Sequence, residues 1–116
     1  MPHCVVEYAE EIENKVDIKG LINKVYQGAL SSGLFEAHQI KTRALPYKHY
    51  LTADAKEAFI HVTVSILCGR TASQKQQLSQ LVMQQLQTVE LSPITMTVDI
   101  RDLDRDCYAK HVVSNI

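Results

Sequence analysis

Residues 2–8 read Pro-His-Cys-Val-Val-Glu-Tyr, a stretch whose β-branched and aromatic side chains predict the first strand of the fold. A proline directly follows the initiator methionine, which is commonly trimmed when the second residue is small. The mature chain then starts at Pro2, with a secondary amine at the head of a strand. Such an amine can accept a proton, which makes Pro2 a candidate general base.

Length and composition indicate a single domain. At 116 residues, the chain can form one modest core but not two. Twelve Lys and Arg against thirteen Asp and Glu give a formal charge of −1, without a basic stripe, which argues against nucleic acid as a partner. No apolar run reaches membrane-spanning length and no signal peptide opens the chain, so a cytoplasmic protein without a membrane partner is expected.

Three cysteines are scattered along the chain at Cys4, Cys68 and Cys107. None of them has CxxC spacing, which argues against a disulfide framework and against a structural zinc site. The pattern predicts free, largely buried thiols in a reducing compartment.

Hydrophobic periodicity and breaker residues predict the remaining elements. A helix begins at the N-cap Asp17 and ends near Gly33, and a second strand follows in which Lys41 and Arg43 alternate with apolar neighbours. A second helix begins at a capping box formed by Thr71 and Gln74. The remaining predicted segments are a polar connection at 47–57 and strands at 58–67 and 94–101. The tail at 102–116 has no clear pattern and could pack on a neighbouring subunit.

The predicted order is β-α-β-β-α-β, an α+β fold with a pseudo-repeat of 2–47 and 58–103 within one domain, 1–116. Right-handed crossovers place both helices on one face of a four-stranded sheet. The strand at 58–67 has apolar residues at both parities, which indicates a sheet buried on both sides. A closed homo-oligomer whose sheets face inward would cover the second face.

Three cations are placed where they could serve an N-terminal base. Arg70 follows a glycine at the junction of the third strand and the second helix, and Lys41 and Arg43 lie on the second strand. Burial and nearby cations favour the neutral form of an amine. The same cations can bind a carboxylate and stabilise an enolate, and arginine offers a bidentate fork. Together with Pro2 they favour a keto–enol isomerase over separate solvated surface charges.

Several short motifs carry a resemblance to a known family. The chain resembles the tautomerase superfamily, and most closely the 5-carboxymethyl-2-hydroxymuconate Δ-isomerase family. The similarity covers residues 2–101 and fades in the tail. Its motifs, in order, are Met-Pro-His with Val-Val-Glu at the N-terminus, Ile40-Lys41-Thr42-Arg43, Phe59-Ile60-His61-Val62, and Gly69-Arg70-Thr71 with Gln76-Gln77 beyond.

The resemblance implies a β-α-β-β-α-β subunit in a homotrimer that uses neither a metal nor an organic cofactor. It implies that Pro2 is the general base and that Arg43 and Arg70 bind substrate carboxylate and polarise its carbonyl. Lys41 stands where the family has the first arginine of a pair, which keeps the charge and loses the fork. The implied substrate is a small unsaturated keto or enol carboxylate from the breakdown of aromatic compounds.

Two other functions remain open from the sequence. The same element order describes ferredoxin-like modules, which often bind ligands or partners without catalysis. Within the superfamily, Pro2 could instead activate water for hydration or dehalogenation. Other side chains are weaker candidates: His3 and His61 are expected as core or subunit contacts rather than metal ligands, Cys68 as an unactivated thiol, and Tyr47 and Tyr50 as packing residues.

Overall fold

The computed structural model describes residues 1–53 and 57–115. The predicted order of strands and helices is confirmed, whereas residues 54–56 of the predicted connection at 47–57 lie outside the described residues. Short 3-10 helices occur at Glu10–Asn14, Ala37–Gln39 and Arg105–Cys107. The regular elements are β1 (Pro2–Ala9), α1 (Ile18–Ser31), β2 (Lys41–Tyr47), β3 (Ala58–Leu67), α2 (Ala72–Leu86) and β4 (Ile94–Leu103).

The four strands form one sheet in the order β2-β1-β3-β4. β1 pairs in parallel with β2, with His3 opposite Lys41, and antiparallel with β3, with Pro2 opposite Ile66. β3 and β4 pair in parallel. The head of β1 therefore lies between the start of β2 and the end of β3.

The helices begin where the capping residues predict. The Asp17 side chain accepts a hydrogen bond from the backbone N–H of Lys19 at 3.2 Å. Thr71 accepts from the backbone N–H of Gln74 at 3.1 Å, and the Gln74 side chain accepts from the Thr71 backbone, so the capping box is complete. Both predicted N-termini are confirmed.

The core lies between the helices and one face of the sheet. Alternate residues of the strands point to this face, and both helices turn their apolar side toward it. The placement of both helices on one face is therefore confirmed. The buried residues of these elements include Cys4, Val6, Tyr8 and Ala9 of β1, Ile60, Val62, Val64 and Ile66 of β3, Leu21, Val25 and Ala29 of α1, and Leu78, Val82 and Leu86 of α2.

The opposite side of the sheet, here called the open face, is more polar than predicted. In β3 it carries Phe59 and Leu67 at the two ends but polar residues between them, because the buried apolar residues all occupy the other parity. The expectation of apolar residues at both parities is thus wrong for the middle of this strand. The strand register places these polar residues on the open face: His3, Glu7, Lys41, Arg43, His61, Thr63, Ser65, Thr97, Asp99 and Arg101.

The three thiols occupy different environments. Cys4 is buried, Cys68 is half-buried and Cys107 is exposed, so the expectation of largely buried thiols holds only for Cys4. Burial raises the pKa of the Cys4 thiol to about 11, which keeps it protonated at neutral pH.

Among the described residues, no helix has both the length and the apolar character needed to cross a membrane.

A glycine allows α1 and α2 to approach closely. A Cβ atom added at Gly28 would lie 2.8 Å from the Cα atom of Val82 and 3.0 Å from the carbonyl oxygen of Leu81. Both neighbours are backbone atoms, which cannot move aside as a flexible side chain could. The interface between the helices therefore depends on the missing side chain at this position.

Gly28→Ala is expected to destabilise the protein by about 1–3 kcal/mol, because the helices must separate to admit the methyl group. Gly20→Ala on the same helix is the matched control, since its nearest neighbour would be the Asp17 side chain at 3.4 Å. That substitution is expected to stabilise the helix by about 0.4–1 kcal/mol. Denaturant unfolding measures both changes, and a stabilising Gly28→Ala would contradict the close approach.

Candidate active site

The N-terminus lies where two clefts meet. Pro2 is buried at the head of β1, and Met1 is half-buried in front of it. Met1 and Gln39 line both clefts, which have volumes of about 320 Å³ and 360 Å³. The first, called the arginine cleft, also contains Arg70 and Arg105. The second, called the lysine cleft, also contains Lys41 and Lys110.

The arginine cleft is built around the turn between β3 and α2. Gly69 adopts a φ of +119°, a conformation that favours glycine, and the turn directs the following residue, Arg70, across the end of the sheet. Arg70 Nη2 donates to the carbonyl oxygen of Leu34 at 2.9 Å, and its guanidinium lies 5.8 Å from the ring centre of Phe35. These contacts hold the predicted cation beside Met1 with the flat guanidinium against an aromatic ring.

The lysine cleft is built from the start of β2 and the C-terminal tail. Lys41 Nζ donates to the carbonyl oxygen of His38 at 2.9 Å, which holds the ammonium group at the start of β2. Tyr108, Lys110 and His111 complete the polar part of the lining. The tail thus packs against its own N-terminus, where the sequence had suggested a neighbouring subunit.

The lysine cleft acts on the N-terminal amine. Burial lowers the pKa of the Met1 amino group below its ordinary value, and repulsion from Lys110 and then Lys41 lowers it further. Neither cleft has an Asp or Glu among its described lining residues to offset these cations. A neutral amine is therefore favoured at this place in the fold.

A chain of hydrogen bonds on the open face connects Arg43 to the N-terminus. Arg43 Nη1 lies 3.2 Å from Nδ1 of His3, and Nε2 of His3 lies 3.0 Å from the hydroxyl of Tyr108. A guanidinium can only donate, so Nδ1 accepts and a neutral His3 carries its proton on Nε2. The Tyr108 hydroxyl is then left to donate to the sulfur of Met1. Burial and, next, the Arg43 charge lower the pKa of His3, which supports the neutral ring.

Two of the four residues that the sequence singled out line a cleft beside the N-terminus. Met1, which precedes Pro2, lines both clefts, with Arg70 in one and Lys41 in the other. Neither Pro2, which is buried beneath Met1, nor Arg43 is among the described lining residues. Sequence reasoning missed the contributions of the tail. Their signal was weak because Arg105, Tyr108 and Lys110 lie in a segment without regular periodicity.

The weaker candidates have other contacts. His61 Nδ1 lies 2.6 Å from the hydroxyl of Thr97 on the open face. Tyr47 and Tyr50 donate to Glu7 and Glu11, respectively, and both rings contact Phe59. Within residues 1–53 and 57–115, no group of three or more His, Cys, Asp or Glu is arranged to hold a metal ion. Cys68 lines the arginine cleft.

Two solved structures share the fold. A 5-carboxymethyl-2-hydroxymuconate isomerase from Deinococcus radiodurans matches with a TM-score of 0.81 and 23% identity, over 95% of this chain and 88% of that chain. A fused 4-OT described as a symmetric trimer matches with a TM-score of 0.70 and 15% identity, over 97% of this chain and 92% of that chain. At these identities the likeness shows the tautomerase fold alone.

The sequence has a nearer relative and a matching family. The 5-carboxymethyl-2-hydroxymuconate Delta-isomerase of Escherichia coli is 29% identical over 90 residues, which are 76% of this chain and 71% of the relative. The model of the 5-carboxymethyl-2-hydroxymuconate isomerase family matches residues 2–114, so the similarity extends into the tail, beyond the motifs at 2–101. The chain therefore belongs to the 5-carboxymethyl-2-hydroxymuconate isomerase family.

Proposed function

We propose that this isomerase moves a proton within a small unsaturated keto or enol carboxylate, with the amine of Pro2 as general base after Met1 is removed. The observation that carries the proposal is the position of the N-terminus between two cationic clefts. While Met1 is attached, the Pro2 nitrogen is an amide nitrogen and cannot act as a base. Removal of Met1 creates the amine and, because Met1 lines both clefts, also opens one cleft to the other.

The proposed reaction is a transfer of one proton. The Pro2 amine takes the proton from the enol hydroxyl of a 2-hydroxydienoate, and the electron pair of the O–H bond becomes part of a conjugated dienolate. The resulting ammonium group then returns the proton to a carbon of the dienolate, which leaves a ketone. No atom is gained or lost and no oxidation occurs, so the proposed chemistry calls for no cofactor.

The cations support both steps of this transfer. Burial, and then repulsion from Lys110 and Lys41, lowers the pKa of the Met1 amine. We expect the same cations to favour the neutral form of the Pro2 amine that replaces it after processing. Negative charge that develops on the dienolate and the permanent charge of a substrate carboxylate are both stabilised by the same side chains. We assign Lys41 and Arg70 to substrate binding on this basis.

The role of Arg43 in this scheme is indirect within its own subunit. Its guanidinium contacts His3, which in turn contacts Tyr108 beside Met1. After Met1 is lost, the Tyr108 hydroxyl faces the space that the thioether occupied. The implied direct contact between Arg43 and a substrate carboxylate remains a prediction.

We also propose that the subunits form a homotrimer through the open face. The two helices both lie on the other side of the sheet, and Leu45 on the open face is 50% exposed. A solved structure with this fold, the fused 4-OT, is described as a trimer. The paired polar residues of the open face, such as His61 with Thr97, suit a polar subunit contact.

The aromatic-compound breakdown product 5-carboxymethyl-2-hydroxymuconate is the proposed kind of substrate, since the family name and its E. coli member refer to it. A cytoplasmic location is proposed because the three free thiols suit a reducing compartment.

Hydration or dehalogenation is less well supported, because neither cleft has a described acidic residue to direct water. Family membership likewise favours an isomerase over a non-catalytic module.

Protein that retains Met1 is expected to isomerise 2-hydroxymuconate at least about 100-fold more slowly than processed protein, because general-base catalysis contributes about that factor or more. Intact-mass measurement identifies the two forms, and both are assayed at equal concentration. Processed Pro2→Ala, which has a primary amine, is the accompanying variant and should also be slower. Equal rates for all three proteins would end the Pro2 assignment.

The pH dependence of kcat/KM should report the N-terminal amine. Activity falls as pH falls through the pKa of the base, and loss of a nearby positive charge raises that pKa. Lys110→Gln and Lys41→Gln are therefore expected to move the acidic limb of the profile to higher pH. Lys19→Gln, at an exposed position of α1, is the control and should leave the limb in place. A shift of the limb to lower pH in the first two variants contradicts the proposed electrostatics.

Light scattering coupled to size exclusion is expected to give three times the 13.1 kDa chain mass. The open face provides the contact, so a charge at Leu45, as in Leu45→Asp, should shift the distribution toward monomer. Val113→Asp in the tail, where the side chain is 86% exposed, is the matched control. A wild-type protein that elutes as a monomer or dimer is inconsistent with the trimer.

A further inference from the structure

The first residue of the turn after β4 reaches into the arginine cleft. Arg105 lies at the start of the 3-10 turn Arg105–Cys107, and its Nη2 donates to the carbonyl oxygen of Cys68 at 3.0 Å. A Cβ atom added at Gly69 would lie only 3.6 Å from the same nitrogen. Arg105 therefore lies over the turn that carries Arg70, and both side chains line one cleft of about 320 Å³.

The two guanidinium groups have no compensating negative charge in this cleft. Arg70 and Arg105 form no ion pair with a carboxylate within residues 1–53 and 57–115. Each makes one described hydrogen bond to a backbone carbonyl, which uses one of its five N–H donors. Two like charges in one cleft repel each other, and a bound anion that accepts from both would relieve this repulsion.

The cations of the two clefts differ in how they relate to the N-terminal amine. Burial and then repulsion from Lys110 and Lys41, which line the lysine cleft, lower the pKa of the Met1 amine, whereas Arg70 and Arg105 line the other cleft. The lysines are thus nearer to the reacting end of a substrate, and the arginines are farther along. A molecule with a carboxylate at each end would place one at the lysines and the other at the arginines, with its carbon chain over Pro2.

We propose that Arg105 is a specificity-determining residue that, with Arg70, binds the far carboxylate of a substrate that has a carboxylate at each end of its chain. The inference rests on the proposed function, because it takes the two clefts to hold one substrate after Met1 is removed. It adds a residue of the C-terminal tail to the site and assigns that residue a ligand chemistry. A monocarboxylate is held at the lysines and gains nothing from Arg105.

Two ligands with the same carbon skeleton test this assignment. Muconate and sorbate are both six-carbon dienes, and muconate has a carboxylate at each end whereas sorbate has only one. Neither carries the hydroxyl or keto group that would be isomerised, so binding is measured without turnover. Isothermal titration calorimetry on processed wild-type protein is expected to show that muconate binds about 10-fold more tightly than sorbate, because muconate gains one charge-assisted contact.

Arg105→Gln is expected to lower muconate affinity about 10-fold and to change sorbate affinity less than about 2-fold. Arg105→Lys keeps the charge but loses the fork, so its muconate affinity should lie between those of the wild type and Arg105→Gln. Lys19→Gln removes a charge from exposed α1 and should change neither affinity. Because Arg105 is exposed, its variants are expected to fold, and circular dichroism checks this.

Equal losses for both ligands, no loss for either, or equal wild-type affinities would overturn the assignment of Arg105. This result is distinguishable from failure of the proposed function. A Pro2-dependent isomerase that shows no Arg105-dependent preference overturns only the inference about Arg105. An Arg105-dependent preference in a protein whose activity does not need Pro2 overturns only the general base.

Discussion

The antiparallel pairing of β1 with β3 determines where the N-terminus lies, and the site depends on that position. Pro2 is opposite Ile66, close to the turn that carries Arg70, and His3 is opposite Lys41 at the start of β2. Because β1 lies inside the sheet, both of its neighbours deliver a cation beside the N-terminus. A register shift by one residue would move every side chain of β1 to the other face and separate these groups.

Charge is distributed unevenly over this nearly neutral chain. The net formal charge is −1, yet two lysines and two arginines line the clefts on either side of Met1. The lysines disfavour protonation of the amine, and all four cations attract carboxylates. An enol-acid isomerase needs a neutral base and an anionic substrate in the same place. The cluster of cations beside the N-terminus meets both requirements.

Local patterns were enough to predict the element order and both helix caps. Caps and strands depend on neighbouring residues, and the element order then restricts which ends can meet. The tail could not be predicted in this way. The contact between His3 and Tyr108 joins residues 105 positions apart, and the segment around Tyr108 has no repeating apolar pattern.

The side-chain contacts of the predicted cations could not be predicted from the sequence either. Alternation places Lys41 and Arg43 on the same face of β2, yet one borders a cleft with Met1 and the other contacts His3. This difference follows from strand register and from the position of the tail, which are long-range features. Family membership supplied the isomerase chemistry, while the geometry supplied the neighbours of the N-terminus.

The central claim is that the N-terminal amine of Pro2 is the reactive group, and covalent trapping tests it most directly. An alkynyl 2-keto acid such as 2-oxo-3-pentynoate adds to a neutral amine across its triple bond, without loss of atoms. Peptide mass spectrometry of processed protein should place one whole reagent per chain on the N-terminal Pro2 peptide, with parallel loss of activity. Labelling of Cys68 or Cys107 instead, or activity that survives labelling of Pro2, would contradict the account.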